Sequence, residues 1–349
     1  MNPTQVLIPT LVRIKPGALK RMGTYARRMA LRRVVVLQSE GLPERFFQQI
    51  EQSLKEQGVQ VALRLTAHDA SFEASTDIFT QMPRHIDGVL GLGGGKALDV
   101  AKYVAFLAHL PYIAAPTSLS NDGFCSPQSS LTLDNKRRSI HAALPAAVIV
   151  DTQVCLDAPS ALWCSGVGDL ASKVTAVNDW KRAFHAVGTP VNDFAALLSD
   201  ATVFQFIARP VRDLEGVRLL ATALMLNGVA MEICGSSRPA SGSEHLISHA
   251  LDGISARPRL HGLQVGVATY LMSHLQQQGT ERLGALFRNT GFWDEVARDP
   301  FDRDEWEAAL RLAPSIKPNF HTVLSEGDHM SECLRLIRED PELVRCFNR

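Results

Sequence analysis

Gly91–Asp99 reads GLGGGKALD, with a short apolar run, Gly88–Leu92, leading into it and an Ala-rich segment, Lys96–Leu110, leading out. Three consecutive glycines let a backbone approach a ligand without Cβ collisions, and the helix start that follows offers N–H groups to an anion. A pyrophosphate suits such a turn. The motif is not the Rossmann GxGxxG, because Lys96 stands where the third glycine would fall, and not a P-loop, because Ala97 follows the lysine. A tight strand-to-helix turn is the plain alternative, but three glycines exceed what a turn needs.

The flanking segments alternate. Val34–Leu37 and Val59–Leu65 read as strands, Leu42–Gln57 carries Leu42, Phe46, Ile50 and Leu54 at helical spacing, Phe72–Thr80 reads as a helix, and Tyr112–Ala115 as a further strand. This order at these lengths predicts parallel pairing with right-handed crossovers, a doubly wound α/β sheet that binds nucleotides at the carboxyl ends of its strands. Ser129–Leu133 and Ser139–Ala143 flank Asp134–Asn135 as a hairpin, and Val148–Val150 is one more strand. From Ser160 the segments read as helix: Gly168–His185, Asp193–Ala208, Asp213–Cys234, His245–Gly253, Leu263–Gln278, Glu281–Thr290, Phe292–Ala297 and Asp304–Leu312. Pro190, Pro210, Pro258, Pro300 and Pro314 separate them. The expectation is an α/β dinucleotide-binding domain over 1–157, an all-helical metal- and substrate-binding domain over 158–349, a linker near 152–160, and a cleft between the two.

Composition narrows the class. The 349 residues balance 36 Lys+Arg against 36 Asp+Glu, which argues against nucleic acid or an anionic membrane as main partner. The longest apolar stretches read as far below the ~20 residues of a membrane span, and MNPTQVLIPTLVRIKPG lacks a signal-peptide layout. Cys125, Cys155, Cys164, Cys234, Cys333 and Cys346 form no CxxC pair and read as reduced thiols of a cytoplasmic globular protein.

Two further constellations carry chemistry. PTSLSNDGFCSP (116–127) follows the next strand of the sheet, where Thr117, Ser118 and Ser120 can donate to phosphate or ribose oxygens and Asp122 can accept from a hydroxyl. The other is Asp169, His245, His249 and His261. Asp169 is expected to open a helix after Gly166-Val167-Gly168, where the dipole favours a carboxylate. His245 and His249 are four apart on one helix face, and His261 begins the next helix. Two imidazoles and a carboxylate make an open three-ligand site that Zn²⁺, Fe²⁺ or Ni²⁺ would accept; satisfied core or surface histidines are the alternative. Glu244 precedes the first histidine and lies off the shared face, so this is not HExxH.

Taken together, GLGGGKALDVAK (91–102), PTSLSNDGFCSP (116–127), APSALWCSGVGDLASKVTAVNDW (158–180), SSRPASGSEHLISHALD (236–252) and HGLQVG (261–266) resemble the sn-glycerol-1-phosphate dehydrogenase family, within the iron-containing alcohol dehydrogenase and dehydroquinate synthase superfamily. The likeness runs from about residue 10 to about 326. It implies a dehydroquinate synthase-like fold, with Gly93, Gly94, Gly95, Lys96 and Ala97 on the pyrophosphate of NAD(H) or NADP(H), and Thr117, Ser118, Leu119, Ser120 and Ser126 on further cofactor positions. It also implies Asp169, His245 and His261 as ligands of one divalent metal, typically Zn²⁺ with Ni²⁺ or Fe²⁺ in relatives, and Asp122 and His249 as substrate contacts. Asp122, Asp169 and His249 are thus the catalytic candidates. The implied reaction interconverts dihydroxyacetone phosphate and sn-glycerol 1-phosphate by hydride transfer, in a homodimer or larger homo-oligomer. Alternatives are a dehydrogenase of an unphosphorylated polyol such as glycerol, a dehydroquinate-synthase-like lyase, and a nucleotide-binding homologue without catalysis. Lys136, Arg137, Arg138 and Arg259 are candidates for a substrate phosphate, and Glu40 for the cofactor ribose.

Overall fold

The computed structural model describes residues 6–134 and 136–348. Its strands are β1 (Leu11–Lys15), β2 (Arg33–Ser39), β3 (Gln60–Ala67), β4 (Gly88–Gly93), β5 (Tyr112–Pro116), β6 (Gln128–Leu133), β7 (Lys136–His141) and β8 (Ala147–Asp151). The helices of the same half are α1 (Met22–Arg28), α2 (Glu44–Glu56), α3 (Phe72–Thr80), α4 (Gly95–Leu107) and α5 (Thr152–Leu156). Beyond them come α6 (Ser160–Val187), α7 (Asp193–Ile207), α8 (Leu214–Cys234), α9 (Ser243–Ile254), α10 (His261–Leu275), α11 (Thr280–Thr290), α12 (Phe292–Ala297), α13 (Arg303–Ile316) and α14 (Met330–Glu339).

Six strands form one wholly parallel sheet in the order β1-β8-β5-β4-β2-β3. Alternate residues of each strand feed opposite cores. Val34 and Val36 of β2 pack with Phe47, Ile50 and Leu54 on one face, whereas Val35 and Leu37 pack with Val100, Ala101 and Val104 of α4 on the other. A sheet covered on both sides requires such continuous β-branched runs. From β2 the chain moves to the edge at β3, returns to β4, then proceeds the other way to β5. The order therefore reverses between β2 and β4, and the glycine turn leaves β4 at that switch point.

Several sequence expectations are corrected. β1, α1 and α14 were not anticipated; β1 is an edge strand buried fully only at Leu11, so its pattern is faint. The second hairpin strand begins at Lys136 rather than Ser139, and Asn135 of the expected turn lies outside the described residues. The linker expected near 152–160 holds a short helix, Thr152–Leu156, capped by Asp151 Oδ1, which accepts from the Gln153 N–H at 3.2 Å. Pro314 does not end α13 but lies inside its last turn. One helix, Leu214–Cys234, is long and apolar enough to cross a membrane by length and composition, contrary to the reading of short apolar stretches. Of its most apolar window 61% is buried within the fold.

The chain divides into two compact units, residues 1–158 with 213–232, and residues 159–212 with 233–349. The first thus includes most of α8, which the sequence division at 157/158 places with the other helices. Gly228 explains the placement, because a Cβ there would fall 1.8 Å from the Cys125 carbonyl oxygen of the first unit.

Candidate functional site

In the second unit α6 and α10 cross backbone to backbone. A Cβ on Gly168 would lie 2.0 Å from the Gly262 carbonyl oxygen, and one on Gly262 would lie 1.8 Å from that of Ser165. Only glycine allows this approach. Asp169 follows Gly168, and His261 precedes Gly262, so the crossing brings Asp169 Oδ1 to 3.7 Å from His261 Nε2. His245, in the first turn of α9, places its Nε2 at 3.7 Å from the same oxygen. The three ligand atoms lie within 4.8 Å of one another. Donors bound at 2.0–2.2 Å to one cation sit roughly 3–4 Å apart, so this N₂O set fits a divalent metal.

The surroundings fit as well. His245 Nδ1 is 2.8 Å from Glu244 Oε1, a carboxylate that also accepts from the Gly242 N–H and, through Oε2, from the Thr175 hydroxyl at 2.8 Å. A proton held on Nδ1 leaves the Nε2 lone pair for a metal. His261 Nδ1 is 3.2 Å from Ser248 Oγ, which receives Gln264 Nε2 at 3.0 Å. His249 stands beside this group, its ring centroid 6.3 Å from that of His245 and 6.0 Å from that of His261.

Asp169 does not open a helix as expected. It lies well inside α6, because Gly168 serves a close helix crossing instead of a break. Its charge is answered by Lys173 one turn on, with Nζ at 3.4 Å from Oδ2, not by the helix dipole. Burial works to raise the Asp169 carboxyl, but Lys173, His245 and His261 outweigh it and hold it well below the usual carboxylate range. Burial likewise opposes charging of His245, yet Asp169 and Glu244 prevail and raise its pKa. A pocket this negative attracts protons or a cation. Glu244 and Lys173 went unassigned in the sequence; a charged residue among small ones in SGSEH was the available signal, since a buried charge requires a partner.

In the first unit Gly93 has φ +136°, and a Cβ there would strike Ser39 Oγ at 2.1 Å. Gly94 then donates its N–H to Ser39 Oγ at 2.9 Å, which joins the ends of β2 and β4. At Gly94 and Gly95 an added Cβ would meet nothing closer than 3.8 Å, so this side of the turn is open. α4 begins there with no side-chain cap, leaving its first N–H groups directed at the opening. Lys96 is exposed, with Nζ 3.4 Å from the His68 carbonyl, and Ala97 is buried. Glu40 pairs with His68 at 3.0 Å.

The second loop is tied to the first by the Thr117 N–H, which donates to the Gly93 carbonyl at 3.0 Å. Thr117, Ser118, Ser120 and Asp122 are half-buried, and Leu119 and Ser126 are buried. Ser126 Oγ accepts from the Gln128 N–H at 3.1 Å. Lys102, absent from the sequence reading, is almost wholly buried; it pairs with Asp99 at 3.2 Å and donates to the carbonyls of Gly123, Ser126 and Gln128. One ammonium thereby fixes the shape of the loop that carries Asp122. Among the other phosphate candidates, Arg137 bonds Ser130 Oγ on the hairpin and Arg259 pairs with Asp299.

Residues 13–159 match the family described as iron-containing alcohol dehydrogenase. The glycerol-1-phosphate dehydrogenase [NAD(P)+] of Aeropyrum pernix is 37% identical over 328 residues, covering 91% of this chain and 92% of that protein. That of Methanothermobacter thermautotrophicus is 33% identical over 350 residues, 99% of this chain and all of the other. Among solved structures, glycerol dehydrogenase of Schizosaccharomyces pombe superposes with a TM-score of 0.77 at 20% identity, over 98% of this chain and 91% of the other, which shows the shared fold. With this identity along almost its whole length, the chain belongs to the glycerol-1-phosphate dehydrogenase family.

Proposed function

We propose that this protein catalyses reversible hydride transfer between NAD(P)H and the C2 carbonyl of dihydroxyacetone phosphate, forming sn-glycerol 1-phosphate. The observation that carries the proposal is the Asp169–His245–His261 group, with both imidazoles oriented through Nδ1, in a chain related end to end to enzymes of that name. Asp169, His245 and His261 would hold one divalent cation, Zn²⁺ first and Ni²⁺ or Fe²⁺ as alternatives, whose chemistry there is Lewis-acid polarisation of a carbonyl.

The chain's own groups supply the rest. Gly93–Ala97 and the start of α4 bind the cofactor pyrophosphate through backbone N–H groups, with Thr117, Ser118, Leu119, Ser120 and Ser126 lining further cofactor positions. Asp122 accepts from a substrate hydroxyl. An imidazole nitrogen of His249 gives a proton to the substrate oxygen as hydride reaches C2, and takes it back in the reverse direction. The protein acts in the cytoplasm on a small phosphorylated ketone or polyol. Rates with dihydroxyacetone phosphate, glycerol 1-phosphate and glycerol, with each cofactor and with metal analysis of the active protein, test the assignment. Faster oxidation of glycerol than of its 1-phosphate would replace it with the polyol reading, and NADH binding without turnover on any of them would remove catalysis altogether.

A further inference from the structure

α7 is apolar on two faces. Ala195, Ala196, Val203 and Phe206 are buried within the second unit, as a surface helix requires. On the opposite side Phe194, Leu197, Ala201, Phe204 and Ala208 are all exposed, at spacings of three, four, three and four residues. Phe194 is 61% exposed, Leu197 65% and Phe204 43%. Phe184 and Val187, at the end of α6, add to the same surface at 50% and 61%. At 150–250 Å² per aromatic side chain, these five residues leave roughly 500 Å² of apolar surface bare, at the upper end of what a monomer shows.

We propose that α7 is a self-complementary seam through which two copies of this chain pair antiparallel, about a twofold axis at Ala201. A three-four repeat is the pattern of a helix that receives another helix along its length. Sequence symmetry selects the orientation. Ala201 lies midway between Phe194 and Ala208, so reversal about it sets the large Phe194 against the partner's small Ala208 and Leu197 near the partner's Phe204. A parallel pair would set phenylalanine on phenylalanine and alanine on alanine, overfilling some layers and emptying others. Charge agrees, because the same reversal places Asp193, in the first turn, opposite the partner's Arg209, where a parallel pair would oppose like charges. Small Ala201 at the centre permits close approach of the two axes. A groove of about 480 Å³ lined by Lys181, Phe184, Val191, Leu197 and Asp200 lies beside the seam and has room for an aromatic ring from the partner. With Phe184 and Val187 already counted, the roughly 500 Å² of bare apolar surface would form the apolar centre of the interface, and the polar residues around it supply the remainder of the roughly 800 Å² per partner of a standard interface.

The test is solution mass by light scattering. The Leu197→Glu/Phe204→Glu double variant should have half the mass of the parent, against 38.2 kDa for one chain. Both sites are exposed, so helical signal and metal content should not change. As a second measurement, Ala201→Cys should cross-link to a dimer under mild oxidation, while the parent treated alike does not. A parent that is monomeric at tens of micromolar, a double variant with unchanged mass, or an Ala201→Cys protein that does not cross-link each overturns the proposal. So does a monomeric parent that sediments with anionic phospholipid vesicles, which would make the face a lipid contact.

Discussion

Replacing Gly168 with alanine tests whether the helix crossing builds the metal group. The new Cβ would lie 2.0 Å from the Gly262 carbonyl oxygen and 2.9 Å from Phe292 Cε2. The first contact is roughly 1.5 Å short of an ordinary separation, and a carbonyl within a helix cannot rotate aside. α6 and α10 must part, at a cost near the upper end for overpacking, about 3 kcal/mol. Alanine returns about 1 kcal/mol of helix propensity over glycine. The net loss of about 2 kcal/mol predicts a melting temperature lower by about 4–8 °C for a unit of this size. Because Asp169 and His261 adjoin the contact, the shift also parts their ligand atoms, and Zn²⁺ affinity should fall at least about 10-fold, as when a ligand's support is lost. Thermal scanning with and without chelator reads the first quantity, and competition against a chromogenic chelator reads the second. Gly253→Ala is the control: it is also helical but meets nothing within 4 Å, so it should leave the melting temperature level or raise it. A Gly168→Ala protein with unaltered melting temperature and metal affinity would refute the reasoning.

Other expectations follow from the same geometry. Glu244→Gln keeps the shape but weakens the hold on His245 Nδ1, so metal affinity measured by chelator competition should drop about 10–100-fold with the fold retained. His249→Ala should keep stoichiometric metal and lose kcat by about 10²–10⁴-fold, the usual size of a proton-transfer contribution; loss of the metal instead would make His249 a ligand. Gly94→Val, at an open position, should abolish NAD(P)H binding in a fluorescence titration without lowering the melting temperature, whereas Gly93→Ala should lower it through Ser39. Asp122→Asn should lower kcat/KM while leaving cofactor affinity in place, and full retention would make Asp122 a turn residue only.

The sheet was legible because a buried parallel strand needs an unbroken β-branched run, and Val34–Leu37 and Val148–Val150 supply them. The helix face shared by His245 and His249 was legible for a similar reason, being a matter of local spacing. Asp169 was placed wrongly because glycine has two uses that look alike in one dimension: Gly168 reads as a break until the partner backbone of Gly262 is known. The roles of Lys102 and Ser39 are not legible because their partners come from distant positions: Lys102 reaches 26 residues along the chain to Gln128, and Ser39 reaches 55 to Gly94. Glu244 and Lys173 stand beside His245 and Asp169 in the sequence, but their burial depends on distant groups, Thr175 for the first and the Ala240 carbonyl for the second. Lys136 and Arg138 remain candidates on sequence grounds alone.

The assignment of residues 213–232 to the first unit has a consequence for synthesis on the ribosome. The sheet is complete once Asp151 has emerged, yet the helix that seats Gly228 against Cys125 arrives only after α6 and α7 have been made. The first unit must therefore wait through more than fifty residues that belong to the second, holding the loop next to Cys125 uncovered meanwhile. Asp169 has by then been made without either histidine, which follow in α9 and α10. During that interval Lys173, four residues away in α6, is the cation at hand for the carboxylate. On the proposed reading, the three candidate ligands first exist together once His261 has been made, so a metal could be captured there only after α10 has begun to emerge.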